Sequence, residues 1–206
     1  MPRHGQRPLS VWKKLLFGSL VTAACFFLAE VILAWVGARP ALYDEDPFVG
    51  FASTVPLFVP ETDDSGSTWM VTARNRLRLF NPQRFALTTP PGTCRVFCLG
   101  GSTTYGRPYD DVTSFAGWLR AFLPQADASQ KWEVVNAGGI SYASYRVALL
   151  MGELSEYEPD VFIVYTGHNE FLEERTYRAV LDTPLVIRNL EAVASRTRTY
   201  ALLRRL

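Results

Sequence analysis

The chain has 206 residues, 48% hydrophobic and 20% charged, and its 21 Lys and Arg against 20 Asp and Glu leave a formal net charge of +1. Those proportions exclude a disordered chain, a collagen-like repeat and a strongly basic nucleic-acid-binding protein, so no nucleic-acid partner is expected. The length suits one globular domain with an accessory segment, and only two histidines, His4 and His168, are open to any mechanism that needs one.

The first organised segment is residues 15–38, an apolar run of 24 residues in which Glu30 is the only charge. At about 1.5 Å per residue a helix of that length reaches roughly 36 Å, enough for a hydrocarbon core near 30 Å. A cleaved signal peptide has an apolar region of only about 7 to 15 residues, so an uncleaved transmembrane helix is the reading adopted. Arg3, Arg7, Lys13 and Lys14 precede the run, whereas Asp44, Glu45 and Asp46 follow Arg39. That asymmetry predicts a single-pass membrane protein, with residues 1–14 in the cytoplasm and everything after residue 40 outside it. Glu30, about two turns from the outer end, either meets interfacial water or pairs with a partner helix.

Residues 39–92 form a lead-in with prolines at 40, 47, 56, 60, 82, 90 and 91, short β-type runs at 48–51 and 68–72, and a polar interruption at 61–67. Prolines at that density forbid long helices and central strands. One or two edge strands lying on the main domain are expected.

From residue 93 the pattern alternates strand, loop and helix. Short runs at 95–99, 133–135 and 161–165 are each stopped by Gly, as suits buried parallel strands. Between them, Phe115, Trp118, Leu119 and Phe122 recur at helical spacing before Pro124, and Val147, Leu150, Met151 and Leu154 do so before Pro159. This order implies an α/β fold with a parallel sheet, whose sites gather at the carboxyl ends of the strands. Residues 185–206 are expected to form a helix lying on the sheet through an apolar stripe of Leu190, Val193 and Ala194, with the arginines around it solvated. Cys94 and Cys98, four apart on a strand, stand too far from each other for a disulfide and read as small buried hydrophobes.

Three polar blocks follow the three strands: Gly100-Gly101-Ser102-Thr103-Thr104, Asn136-Ala137-Gly138-Gly139-Ile140-Ser141 and Thr166-Gly167-His168-Asn169-Glu170. In this order they resemble the SGNH/GDSL hydrolase family, over residues 93–206. The resemblance implies a partial flavodoxin-like parallel sheet with flanking helices, preceded by the transmembrane helix. It also implies a serine esterase that hydrolyses a carboxylic ester through an acyl-enzyme. Ser102 would be the nucleophile, and the oxyanion donors would be the Ser102 N–H, an N–H of Ser141 or Gly139, and the Asn169 side-chain amide. An amide donates without changing charge, which suits that role.

The departures from the family pattern do not weigh equally: the one at Gly101 is minor and the one at the base is serious. Gly101 stands where the family often has Asp, and the family's base, a His in a C-terminal Asp-x-x-His block, is absent after residue 168. His168 neighbours Asn169, and in an extended segment the two would point to opposite faces. The chain therefore reads as the N-terminal part of a longer enzyme. The substrate class is an acylated small molecule, lipid or glycan, and no metal or organic cofactor is implied. O-acyl transfer to an envelope polysaccharide uses the same machinery, and an inactive membrane-anchored binding module is the reading from a different class.

Overall fold

The computed structural model describes residues 10–204, apart from the side chains of Glu173 and Glu174. Arg3, His4 and Arg7 of the leading flank and Arg205 lie outside that range. The chain forms two units, one of Leu42–Ala194 and the other combining the N-terminal helix with the segment from Ser195.

In the second of these, α1 (Val11–Trp35) is a single apolar helix with no buried residue, long and apolar enough to cross a membrane. Its one acidic residue, Glu30, is bonded to the start of a short C-terminal helix.

Within Leu42–Ala194, the lead-in contributes more than edge strands. β1 (Phe58–Thr62), β2 (Thr68–Thr72) and β3 (Arg84–Ala86) make an antiparallel sheet of their own, in the order β1-β2-β3. Pro60 sits in the edge strand β1, where its missing N–H does least harm. Residues 48–51, expected as a β-type run, turn instead. The Asp46 carboxylate accepts the N–H groups of Phe48 at 2.9 Å and Gly50 at 2.7 Å, which takes them out of any ladder.

The parallel sheet is built from β4 (Thr93–Gly100), β5 (Lys131–Gly138) and β6 (Val161–Tyr165), with β4 in the centre. The register aligns Gly100 with Gly138 on one side and with Tyr165 on the other, so the three strands end together. Successive side chains of β4 alternate between two cores. Phe97 and Leu99 join Phe58, Met70 and Phe85 of the antiparallel sheet and Val147, Leu150 and Leu154 of α4 (Ser144–Leu154). Val96 and Cys98 pack on Ala116, Leu119 and Leu123 of α3 (Phe115–Ala126). Ser114 caps α3 by accepting the Gly117 N–H at 3.1 Å. Pro124 falls inside the last turn of α3 rather than ending it. Cys94 and Cys98 are both free, as their spacing requires; Cys94 is only partly buried, whereas Cys98 is fully so, and burial pushes its thiol up to about 12.

Beyond β6 the chain is helical: α5 (Glu170–Leu181), α6 (Leu185–Ala194) and α7 (Arg198–Leu203). The expected buried stripe is reversed. Leu190 and Val193 are 65% and 51% exposed, while Arg188 and Ala192 are the buried residues of α6. Arg188 donates from Nη1 to the Phe51 carbonyl at 3.0 Å, which satisfies a carbonyl of the turns at 46–55. Ala192 fills the space beside Phe48, Ala52 and Val55. The continuous helix expected over 185–206 is also two helices, restarted by the Thr197 hydroxyl accepting the Tyr200 N–H at 3.2 Å.

Candidate functional site

The loops after β4, β5 and β6 meet at the carboxyl end of the parallel sheet, and Gly101 is where they touch. A Cβ at Gly101 would lie 2.3 Å from Asn169 Nδ2, 3.0 Å from the Tyr142 carbonyl oxygen and 3.3 Å from His168 Cε1. Only a hydrogen in place of a side chain lets these loops come so close. Ser102 is the next residue and the first of α2 (Ser102–Tyr105). It is half-buried, and its hydroxyl has no hydrogen-bond partner among the described residues.

Asn169 is buried and donates from Nδ2 to the Tyr142 carbonyl at 2.8 Å. A primary amide has two N–H groups, so one remains for a ligand at this loop cluster. Gly139 is committed elsewhere. Its N–H donates to the Gly100 carbonyl at 2.9 Å, and a Cβ there would strike the Tyr142 ring at 2.6 Å and Phe80 at 2.8 Å. Ser141 differs on both counts: it is exposed, its N–H has no partner among the described residues, and its φ is +62°. A non-glycine residue in the left-handed region is held there by its surroundings at a cost of order ~1 kcal/mol. Of the two backbone donors left open by the sequence, Ser141 is the one with a free N–H.

What holds Ser141 in place is Arg146, a residue with no motif to announce it. Fully buried on α4, it donates from Nη2 to the Ser141 carbonyl at 2.5 Å and from Nη1 to the Val49 carbonyl at 2.7 Å. Its guanidinium lies 4.2 Å from the Tyr142 ring centroid and 4.8 Å from that of Tyr177. A buried arginine on an otherwise apolar helix face was the one available signal. Asn136, also buried, supports the other side. Its Nδ2 donates to Asp111 at 2.6 Å and its Oδ1 accepts the Gly138 N–H at 3.0 Å, fixing the end of β5.

His168 does not turn away from Asn169. The segment is a turn rather than a strand, with Gly167 at φ +137° and Asn169 in the right-handed helical region, so neighbouring side chains need not alternate. Both reach Gly101, although the imidazole is exposed and Asn169 is not. Glu170, opening α5, accepts the Ser144 N–H at 3.0 Å and the Ser144 hydroxyl at 2.8 Å. Burial alone would raise its carboxyl. The Ser144 bonds, a bond from Thr166 and the charge of His168 outweigh that and hold it below the usual range. Among the described residues no group of three or more His, Cys, Asp or Glu could hold a metal ion.

The site therefore offers an unengaged serine hydroxyl, two free donors and an imidazole at the mouth of three converging loops. No family model, no curated protein and no solved structure matches this chain.

Proposed function

We propose that this chain carries the nucleophile and oxyanion donors of an SGNH/GDSL-type serine esterase, anchored by α1 and facing away from the cytoplasm. The observation that carries the reading is the packing of the Asn169 amide on Gly101, the residue directly before Ser102. It joins two of the three blocks in space. In this mechanism Ser102 Oγ attacks the ester carbonyl carbon, and the resulting oxyanion takes hydrogen bonds from the Ser102 and Ser141 N–H groups and the spare Asn169 N–H. The bond to the leaving alkoxide then breaks, the Ser102 proton passes through a base to that alkoxide, and water cleaves the acyl-enzyme.

The base that the resemblance implies is a His in an Asp-x-x-His block, and the free side of β6 supports a further strand beside it. Among the described residues β6 pairs only with β4, and its Val161, Val164 and Tyr165 are exposed. An open apolar edge of that kind is normally covered in a parallel sheet, which fits a partial flavodoxin-like arrangement. A second reading makes His168 the base, favoured by its ring lying on Gly101.

Release of nitrophenol from a short acyl ester tests both. The 206-residue chain should match its Ser102→Ala variant, because loss of a triad member leaves only roughly 10³ to 10⁴ over water. A version extended to include the Asp-x-x-His should exceed both by orders of magnitude and lose that gain with Ser102→Ala. An extended version without Ser102-dependent turnover would sink the esterase reading. Full turnover by the short chain, abolished in His168→Ala, would make His168 the base.

A further inference from the structure

We propose that residues 197–204, which include α7, lie in the outer-leaflet interface of the membrane, latched to α1 through Glu30, with phospholipid as the partner. The chain then meets the bilayer at two separate segments. The inference rests on the reading of α1 as a membrane span.

Depth is the first part of the argument. Centring a hydrocarbon core of about 30 Å on α1 puts Glu30 roughly 10 Å from the midplane, about 5 Å inside the outer boundary. A carboxylate at that depth requires donors, because water does not reach it freely. Here the donors come from α7 and its flank. One carboxylate oxygen accepts the Thr199 N–H at 2.7 Å and the Thr199 hydroxyl, and the other accepts the Arg198 N–H at 3.1 Å. The Arg198 guanidinium stands 3.8 Å from the same carboxylate and donates from Nε to the Ala38 carbonyl at 3.0 Å. Charge is neutralised within the cluster, and the polar backbone that begins α7 is satisfied by it.

These bonds hold Thr199 at the depth of Glu30. Leu203 follows four residues later, a rise of about 6 Å at most, so it ends no farther out than about 1 Å beyond the hydrocarbon boundary. Leu202 and Leu203 are both exposed on the protein, as is the apolar surface of α1 beside them. At that level an exposed leucine faces acyl chains or the headgroup boundary. Arg204, also exposed, can extend from its apolar stem toward phosphate.

Lipid-borne quenching reads the depth directly. In a full chain whose three cysteines are replaced by alanine, a bimane label is placed at Leu203→Cys or at Leu20→Cys. The protein is reconstituted in phosphatidylcholine and phosphatidylglycerol vesicles with or without 5-doxyl phosphatidylcholine. The label at 203 should lose at least half its emission to the doxyl lipid, and the label at 20 should also be quenched. Adding Glu30→Leu should abolish quenching at 203 and preserve it at 20. Quenching at 20 without quenching at 203 overturns the interfacial segment and leaves the anchor standing. Quenching at 203 that survives Glu30→Leu overturns the latch, and quenching at neither position overturns the membrane reading together with the proposal.

Discussion

The Asn169 side chain donates to the Tyr142 carbonyl at 2.8 Å, and this one buried bond ties the loop after β6 to the loop after β5. It also orients the second N–H of the amide, so a role in holding the loops and the proposed role in binding an oxyanion fall on the same group.

Asn169→Ala should therefore show two separable losses. Leaving the Tyr142 carbonyl buried without a donor costs about 1–3 kcal/mol of stability, read as a lower midpoint in urea. In the esterase-competent form, kcat should fall by roughly 10² to 10³ through loss of one oxyanion donor. Unchanged kcat with reduced stability would leave Asn169 a structural residue only.

Arg95 provides a test of the fold alone. It is fully buried on β4 and donates to Glu133 on β5 at 2.5 Å, to the Tyr157 carbonyl at 2.6 Å and to the Ala86 carbonyl of β3 at 2.7 Å. Arg95→Met keeps the apolar stem but strands the Glu133 carboxylate and both carbonyls. The expected destabilisation is about 3–5 kcal/mol by denaturant titration. A loss below 1 kcal/mol would mean that water takes over the guanidinium's partners.

Asp63 sets a pH dependence at the turn between β1 and β2. The Ser65 hydroxyl, then the Trp69 indole at 2.7 Å, hold its carboxyl down from the ordinary 3.8 to about 2. The carboxylate form is favoured in the folded state, so its contribution is complete above the unfolded value and is lost as pH falls through about 2. Carboxyl NMR titration should place Asp63 near 2, well below the ordinary 3.8, and Ser65→Ala should move it upward. A titration near 3.8 in the unaltered protein would contradict the bonding.

The orientation of α1 is testable with fusions after residue 90. A reporter active only outside the cytoplasm should work there, because Lys13 and Lys14 precede the span while Asp44, Glu45 and Asp46 follow it. Activity of a cytoplasm-only reporter at that point would reverse the orientation.

The apolar run behind α1 was legible because a helix of that length satisfies its own backbone and needs only lipid as its surroundings. The three parallel strands were legible for a related reason: each is a short β-branched or aromatic run stopped by Gly, and β6 coincides with its expected bounds at Val161–Tyr165. The order of the polar blocks at their ends followed from the order of the strands. The lead-in was less legible, since β3 has only three residues and pairs through Met70 and Phe85 rather than through any pattern of its own.

The amino-acid sequence by itself determined where the apolar span and the parallel strands lie, because hydrophobic length and Gly punctuation act locally along the chain. Which residues α6 buries was decided only in three dimensions. Arg188 goes inward because the Phe51 carbonyl, distant in sequence, waits there for a donor, and Leu190 is turned out in consequence. The choice of Ser141 over Gly139 as the free N–H likewise depends on Gly100 having already taken the Gly139 bond. His168 and Asn169 reach the same glycine because residues 166–169 form a turn, a conformation set by the packing of three loops rather than by the alternation of neighbours. Hydrogen-bond satisfaction is a property of the assembled neighbourhood, and no single segment carries it alone.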